Sequence, residues 1–519
     1  MIRTILKSLL KPEAYPEPTY FVELLQTHVS WIFLTDTHAY KVKKPVNFGF
    51  LNFSTIDRRR FYCDEEVRLN RRLCPDIYEG VVEMRETPSG AAFHGNGAVI
   101  DYAVKMKRLP AERMLDKLVS SNQVSVVEMQ NVARIIADFH KNASTSPAIA
   151  EFGHLDRIMF NWQENFEQMI PFEDKTLSVV EREQIKAWVS RFTIENAEIF
   201  LQRVDEGFIR ECDGDIHLEN ICMTDNSIYI FDCIEFNERF RYCDTAADVA
   251  FLLMDLDFNG RPDLAGEVVK SYLEVSGDTK MMALIGYYKL YRAFVRGKVE
   301  SLRLIDGGID QLEQKRAETR AIKYFRLARG YIERSRLQPS LFITCGLMGS
   351  GKSTLTAQLS FELGIAAFDS DTVRKQLAGI SFGTHVPDAY GEGLYTSKAN
   401  DATYSELFCR AEVELAAGRS VIIDASFKRK EDRSRFASLA KRYEALFVVL
   451  HVACNEPENR RRLAERLASG QSVSDGRAEL LESQQQEFEP PTMEEGLVIT
   501  LNSAGPPESL TSTIYGRLV

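Results

Sequence analysis

The stretch that decides the fold of the C-terminal part of the chain is Gly346-Leu347-Met348-Gly349-Ser350-Gly351-Lys352-Ser353. It reads G-x-x-x-x-G-K-S. An apolar run of strand composition, residues 341–345, precedes it, and residues 354–359 after it are typical of a helix. Strand, glycine-rich loop and helix in this order form the context that a phosphate-binding P-loop requires. The alternative is a plain glycine turn before a helix, and the complete pattern with both correct flanks disfavours it.

The composition of this loop predicts how it binds phosphate. Glycines let the backbone fold tightly, so that successive N–H groups point at phosphate oxygens, and the start of the following helix adds its positive dipole end. We predict that Lys352 reaches the β- and γ-phosphates and that the Ser353 hydroxyl is a ligand of Mg²⁺. The residues predicted to bind the nucleotide are Gly346, Gly349, Ser350, Gly351, Lys352, Ser353 and Thr354.

Acidic residues follow the P-loop at the ends of two apolar runs. Asp369 and Asp371 close the first run, and Asp424 closes the second, residues 421–424. Of the first two, one can hold Mg²⁺ or its water and the other can accept the proton of an attacking hydroxyl. The spacing of two puts both on one face of an extended strand, whereas a turn there would splay them. Asp424 matches the strand-end carboxylate that supports Mg²⁺. A lone acid at a strand end is usually just solvated, but these acids recur at βα intervals after a P-loop.

Three arginines mark a helix-like stretch further along the chain. Arg462 and Arg466 are four residues apart and share a helix face, and Arg461 is their neighbour. Arginines can close over a triphosphate and neutralise the charge that develops during phosphoryl transfer. The alternative is a solvated basic helix face.

Together these features resemble small P-loop kinases of the gluconate and shikimate kinase kind, over about residues 340–495. The resemblance includes Leu480-Leu481-Glu482-Ser483-Gln484 and Phe488-Glu489-Pro490-Pro491. Two further stretches, Ile423-Asp424-Ala425-Ser426-Phe427 and Asp371-Thr372-Val373-Arg374, also resemble polynucleotide 5′-kinases and zeta-toxin-type kinases. The resemblance implies that Asp369 serves Mg²⁺, that Asp371 is the base or orients the acceptor, and that Arg466 is the lid arginine.

A second constellation lies in the N-terminal part, at Asp213-Gly214-Asp215-Ile216-His217-Leu218-Glu219-Asn220. Asp232 then closes an apolar strand, residues 228–231. An Asp, an Asn five residues later and an Asp at a strand end are the layout of a kinase catalytic loop. Asp215 is predicted to orient or deprotonate the acceptor hydroxyl, and Asn220 and Asp232 to hold metal ions. The layout resembles the aminoglycoside phosphotransferase-like family, whose loop reads H-G-D-x-x-x-x-N; Asp213 stands where that family has His.

This second resemblance covers about residues 30–300. It implies that Lys41 anchors the nucleotide, with Lys43 as the competitor, and that Glu66 is its ion-pair partner, with Glu65 as the competitor. The alternative for Lys41 is an ordinary edge-strand lysine. Residues 106–109 look like the hinge between two lobes. Three further residues, Asp244, Asp248 and His140, are interpreted as structural.

The bulk properties limit the class of protein. The chain has 519 residues, a net charge of -11 and nine cysteines without a CxxC pair. Such a length suggests roughly three domain-sized units. The acidic balance disfavours a dedicated nucleic-acid or membrane-surface binder, although a local basic groove could survive it. Neither a disulfide framework nor a zinc site is indicated, and no apolar run reaches bilayer length, so we predict a cytoplasmic protein. The sequence gives no signal for an oligomeric state.

The predicted fold class is an α+β bilobal protein-kinase-like domain followed by an α/β P-loop domain with a parallel sheet. We predict the first domain at residues 1–335, with lobes at about 1–109 and 110–335, and the second at 340–519, divided near Pro339. ATP and Mg²⁺ are the predicted cofactors of both. Three functions remain open: a bifunctional kinase of small-molecule hydroxyls, a nucleic-acid 5′-hydroxyl kinase, and a regulatory ATP-binding protein with one degenerate domain.

Overall fold

The computed structural model describes residues 2–49, 51–305, 309–380, 396–469, 481–503 and 507–518. The chain forms two compact units. The first comprises Met1–Pro171, Lys186–Asn259 and Leu264–Arg292, and the second comprises Phe172–Ile185, Gly260–Asp263 and Ala293–Val519.

The first unit begins with a six-stranded antiparallel sheet of order β1-β2-β3-β6-β4-β5. Its strands, β1 to β6, are Glu23–Gln26, Ser30–Leu34, His38–Lys43, Tyr78–Thr87, Gly90–Ala92 and Val99–Lys107. Helices α1 and α2 are Ile2–Leu9 and Ile56–Asn70. The Thr55 side chain caps α2 by accepting from the Arg58 amide. On the sheet side, α2 buries Cys63 and Val67 against Tyr78 and Val104, and this packing fixes the face that carries Glu66.

Helices dominate from residue 111 to residue 335. Helices α3 to α13 are Leu115–Ser120, Val126–Asn142, Pro147–Ala150, Leu155–Met169, Val179–Glu195, Ala197–Asp205, Glu238–Arg241, Thr245–Phe258, Pro262–Ser276, Met282–Leu302 and Gln311–Ser335. Four short strands, β7 to β10, are Ile209–Glu211, Ile221–Met223, Ile228–Ile230 and Tyr242–Asp244. They form two antiparallel pairs, β7 with β10 and β8 with β9.

The second unit contains a five-stranded parallel sheet of order β12-β13-β11-β14-β15. Strands β11 to β15 are Ser340–Cys345, Ala366–Asp369, Val421–Asp424, Leu446–Ala453 and Leu497–Asn502. Helices α14 to α20 are Lys352–Leu363, Ser370–Leu377, Ser397–Ala416, Lys430–Arg442, Glu456–Ser469, Leu481–Gln486 and Pro507–Leu518. Alternate residues of β11 enter different cores, Leu341 and Ile343 on one face and Phe342 on the other. The sheet is therefore covered on both faces, as parallel sheets are.

The predicted fold class is confirmed: an antiparallel sheet with a helical lobe, kinase-like in arrangement, precedes a parallel P-loop domain. The predicted domain boundary near Pro339 stays a prediction; the compact units, whose segments alternate along the chain, place α13 in the second unit. The physical reason is that α13 packs on α14 of the P-loop domain. A Cβ on Gly330 of α13 would lie 1.3 Å from the Glu362 carbonyl oxygen of α14. Arg334 also donates to the Gly364 carbonyl at 2.8 Å.

Within the described ranges, no helix combines the length and the apolar character that crossing a bilayer requires.

Candidate nucleotide and phosphoryl-transfer sites

Two lysines of β3 meet the same glutamate in the first unit. Lys41 and Lys43 are two residues apart and therefore lie on one face of the strand. The Lys41 Nζ lies 2.9 Å from Glu66 Oε1 and also pairs with Asp232 Oδ1. The Lys43 Nζ lies 2.6 Å from Glu66 Oε2 and also pairs with Glu235. The structure thus places Lys41 beside its predicted partner Glu66 and also beside Asp232, and Lys43 forms a second, deeper ion pair with Glu66.

The charges of this network stabilise one another although Lys41, Lys43, Glu66 and Glu235 are buried; Asp232 is partly exposed. Burial lowers the pKa of Lys41, but Asp232 and Glu66 outweigh it and raise that pKa well above its usual range. Burial raises the pKa of Glu66, yet the two lysines hold it well below the usual value. Burial raises the pKa of Glu235, and Lys43 only partly offsets this. The competitor Glu65 lies outside the network and pairs with Arg68 at 2.8 Å.

The catalytic-loop residues are held together by the β8–β9 hairpin. The Phe231 amide donates to the Asn220 carbonyl at 3.0 Å, which places Asn220 and Asp232 at the same end of the hairpin. Asn220 Nδ2 donates to Asp215 Oδ2 at 3.1 Å. Asp232 has a φ of +66°, a left-handed conformation that is uncommon for a residue other than glycine. Carboxylate and amide oxygens converge here, and they are the donors that Mg²⁺ prefers.

A buried carboxylate of α10 anchors the start of this loop. Asp248 accepts from the Asp213 amide at 3.0 Å, from the Gly214 amide at 2.9 Å and lies 3.1 Å from His140 Nε2. Asp244 caps α10 and forms a buried ion pair with Arg203, whose Nε lies 2.6 Å from Asp244 Oδ2. These contacts agree with the structural interpretation of Asp244, Asp248 and His140.

Asp213, which stands where the resembled phosphotransferase family has histidine, is almost fully buried at the same place. Burial raises the pKa of its carboxyl well above the usual value, and the neighbouring Asp248 raises it further. Asp213 Oδ1 accepts from the amide of Asp215 at 3.1 Å. The carboxyl therefore supports the backbone of the catalytic loop directly.

In the second unit, the register of the parallel sheet brings the predicted metal ligands together. Asp369 of β12 is the direct partner of Asp424 of β13. Thr344 Oγ1 donates to Asp424 Oδ1 at 2.8 Å. Burial raises the pKa of Asp424, while Lys352 and a hydrogen bond with Ser353 lower it by less. The P-loop lysine, the P-loop serine and the strand-end carboxylates therefore form one cluster.

The P-loop itself has the geometry that phosphate binding requires. Helix α14 begins at Lys352, directly after Gly351, whose φ of +93° suits a residue without a side chain. The Lys352 Nζ donates to the Leu347 carbonyl at 2.8 Å and so folds back over the loop. Among the described residues, the buried Ser350 Oγ has no hydrogen-bond partner. A helix start, a lysine and an unsatisfied hydroxyl around one glycine loop fit a nucleotide phosphate chain.

Asp369 and Asp371 are not side by side on one extended strand, because the strand ends at Asp369. Asp369 is the N-cap of α15, and its Oδ1 accepts from the Asp371 and Thr372 amides at 2.9 and 3.0 Å. Asp371 lies in the first turn of α15 and pairs with Arg374 at 2.6 Å. The extended alternative for this pair is therefore wrong, and the helix start splays the two carboxylates.

The predicted lid helix, α18, packs directly on the P-loop. A Cβ on Gly351 would lie 3.2 Å from Arg462 Nη1, and the same nitrogen donates to Ser503 Oγ at 3.0 Å. Arg461 instead pairs with Glu458 and Glu465 of its own helix. Arg466 belongs to α18, but its side chain lies outside the described part of the chain. The arginine seen at the loop is thus Arg462, which the pattern of three arginines could not single out.

Several known proteins are similar to parts of this chain. Residues 341–491 match the family model described as AAA domain, which confirms the P-loop assignment of the C-terminal part. Among solved structures, a choline/ethanolamine kinase family protein from Mesorhizobium loti is similar with a TM-score of 0.40 and 11% identity, covering 69% of this chain and 99% of that one. A gluconokinase from Sinorhizobium meliloti 1021 is similar with a TM-score of 0.26 and 19% identity, covering 35% of this chain and 93% of that one.

One relative with a higher sequence identity matches over most of the chain. The uncharacterized protein Rv2004c of Mycobacterium tuberculosis (strain ATCC 25618 / H37Rv) is 30% identical over 420 residues, a match that covers 81% of this chain and 81% of that protein. Such a match spans most of both compact units. The chain belongs to the same family as this mycobacterial protein.

Proposed function

We propose that the protein is a bifunctional ATP-dependent phosphotransferase, with a kinase domain at residues 1–335 and a second at 340–519. Each domain transfers the γ-phosphoryl group of ATP to a hydroxyl of a small molecule. The observation that carries this proposal is the cluster of Lys352, Ser353 and Asp424 at the end of β13, with Asp369 in register beside it. The Lys41–Glu66–Asp232 network supports the same chemistry in the first domain.

The residues divide the work in the same way in both domains. Lys352 and Lys41 bind phosphate oxygens. In the second site, Arg462 or Arg466 provides a further positive charge beside the phosphates. Ser353, Asp369 and Asp424 hold Mg²⁺ in the second domain, as Asn220 and Asp232 do in the first. Bound Mg²⁺ neutralises charge on the phosphates. Asp371 and Asp215 orient the acceptor hydroxyl and take its proton late in the transfer.

A regulatory role for the first domain is the second candidate, and the observation that favours it is Asp213. A buried carboxyl with a raised pKa stands where the resembled kinases have an imidazole, directly before the acceptor-side aspartate. ATP binding without turnover in this domain would support that alternative.

The test is a phosphotransfer screen on the full-length chain with ATP·Mg²⁺ against sugars, nucleosides, aminoglycosides and 5′-hydroxyl oligonucleotides. Lys352→Ala removes transfer by the second domain and Asp215→Asn removes transfer by the first, so each acceptor is assigned to a domain. An oligonucleotide acceptor would move the function to a nucleic-acid kinase. A parent chain that neither binds ATP nor transfers phosphate would overturn the proposal.

A further inference from the structure

A side chain from outside the P-loop reaches into it. The amide of Met348, in the middle of the glycine loop, donates to Gln484 Oε1 at 2.8 Å. Gln484 belongs to α19, more than a hundred residues downstream, and its side chain is half-buried. It lies within the stretch of sequence that resembles P-loop kinases, but none of the roles proposed above involves it.

The segment that carries Gln484 is fixed on the far side of the same site. The Glu489 amide donates to the Lys428 carbonyl at 2.9 Å, and Lys428 also pairs with Glu487. The Phe488 ring stacks on His451 with a centroid separation of 5.9 Å. Lys428 follows β13, the strand that ends in Asp424. Gln484 therefore bridges the phosphate loop and the segment that follows the metal-side strand.

The chemistry of a primary amide suits that position. A glutamine side chain offers one acceptor oxygen and two N–H donors on the same carbon. An acceptor oxygen pointed at a phosphate site would repel the phosphate, but here the Met348 amide binds that oxygen and so orients the group. With its oxygen held in this way, the amide keeps two N–H donors that a phosphate bound at the loop could accept from, and such donors stabilise charge that develops during phosphoryl transfer.

We propose that Gln484 is a phosphate-contacting residue of the C-terminal domain. Its Oε1 fixes the Met348 amide, and its Nε2 group donates to the oxygens of the transferring γ-phosphoryl group. This inference rests on the proposed function of that domain. The competing explanation is that Gln484 only docks α19 onto the loop, in which case it does not distinguish a nucleotide with a γ-phosphate from one without.

The test compares Gln484→Glu with Gln485→Glu in the full-length chain. Glutamate keeps an oxygen for the Met348 amide but replaces the donors with negative charge, and Gln485 is an exposed neighbour that receives the same charge change. The probes are a non-hydrolysable ATP analogue and ADP, each with Mg²⁺. Both variants carry Asp232→Asn to weaken the N-terminal site. The signal that Lys352→Ala abolishes is assigned to the C-terminal site.

We expect Gln484→Glu to weaken binding of the ATP analogue by about tenfold or more, the size of one lost hydrogen bond to a charged group, with ADP affinity kept within about twofold. Gln485→Glu should change neither. Equal weakening of both nucleotides, or no change in either, overturns the inference. Gln484→Leu, which adds no charge, should also weaken binding of the ATP analogue more than binding of ADP, but by a smaller factor. If the glutamate variant does not fold, this variant tests the inference in its place.

The control separates this inference from the proposed function. If the parent chain gives no signal that Lys352→Ala removes, the P-loop assignment itself is wrong. If that signal is present and Gln484→Glu binds both nucleotides as Gln485→Glu does, only the role of Gln484 is wrong.

Discussion

Asp213 shows how one residue can link the catalytic loop to the stability of the fold. Its carboxyl is buried, and both burial and the nearby Asp248 raise its pKa. The native state therefore binds a proton on Asp213 at pH values where the unfolded chain does not. Stability from this group falls as pH rises from the ordinary aspartate pKa toward the raised one.

We expect Asp213→Asn to stabilise the protein at neutral and alkaline pH. Asparagine keeps an oxygen for the Asp215 amide and cannot ionise, so the variant loses that pH dependence. The gain should be about 1–3 kcal/mol near pH 8 and should shrink toward pH 4. Thermal unfolding of the parent and the variant across this pH range measures it, with the exposed Asp225→Asn as the control. Parallel curves for parent and variant would show that Asp213 is ionised in the native state.

The second residue-scale prediction concerns Asp369 and Asp371. Asp371→Asn should keep ATP affinity and lower turnover by about 10²–10⁴-fold, the range of a general base. Asp369→Asn should raise the Mg²⁺ requirement while α15 persists, because asparagine is also a good N-cap. Turnover against Mg²⁺ concentration for both variants tests this once an acceptor is known. Exchanged phenotypes would exchange the two roles, and two silent variants would remove the pair from the site.

At the scale of elements, β3, α2 and the chain after β9 are joined by the ion pairs of Lys43. This lysine is fully buried between Glu66 and Glu235. Removing one member of such a pair leaves an uncompensated charge, which costs about 3–5 kcal/mol, whereas replacing both members by apolar groups is often neutral.

We therefore expect Lys43→Met and Glu235→Leu each to destabilise the protein by about 3–5 kcal/mol, and the double variant to lose much less than their sum. Urea unfolding of the three variants and the parent gives the coupling free energy. The partly exposed Glu65→Gln serves as the control for a charge change at the neighbouring helix. Additive losses would mean that the two side chains act independently.

The sequence predicted most elements of the fold because their signals are local. The β2–β3 hairpin, α2 and strands β11 to β14 follow from apolar periodicity and turn residues. Strand β15 was missed. It is one of the two edge strands of the sheet, its last residues alternate between buried and exposed, and it follows a polar segment. Helix α13 was predicted as a helix, but its packing on α14 was not. The sequence shows that Gly330 lies inside a helix, but it does not show which backbone approaches that glycine.

The candidate sites were predictable where a motif has fixed spacing. Lys352, Ser353, Asp215, Asn220 and Asp232 follow from such spacing, and the structure brings them into two clusters. Glu235 was missed because its position depends on the left-handed backbone at Asp232, which no pattern encodes. Gln484 lies in a stretch that resembles P-loop kinases, but its role could not be predicted, because its contact with Met348 spans 136 positions of the chain.

At the scale of the whole molecule, the boundary prediction has a practical consequence. Helix α13 packs on α14 so closely that Gly330 leaves no room for a Cβ. A fragment that begins at residue 340 exposes this face of α14, whereas a fragment of residues 309–519 keeps it covered. We expect the longer fragment to melt at a higher temperature and the shorter one to bind hydrophobic dyes, because it leaves apolar surface in water. Equal melting temperatures would show that α13 adds nothing to the second unit.

The contacts of α14 also determine when the second unit can complete its folding during synthesis. Glu362, near the end of α14, contacts residues on both sides of it in the sequence. Its carbonyl faces Gly330, which is synthesised earlier, and its carboxylate accepts from the hydroxyl of Tyr515, which is synthesised later, at 2.7 Å. Domains generally fold as units while the chain is being extended. Most of the first unit is complete once Arg292 has emerged. The helix that begins with Lys352 acquires its contact with α20 only later, so we expect the nascent chain to complete the proposed site of the first unit before that of the second.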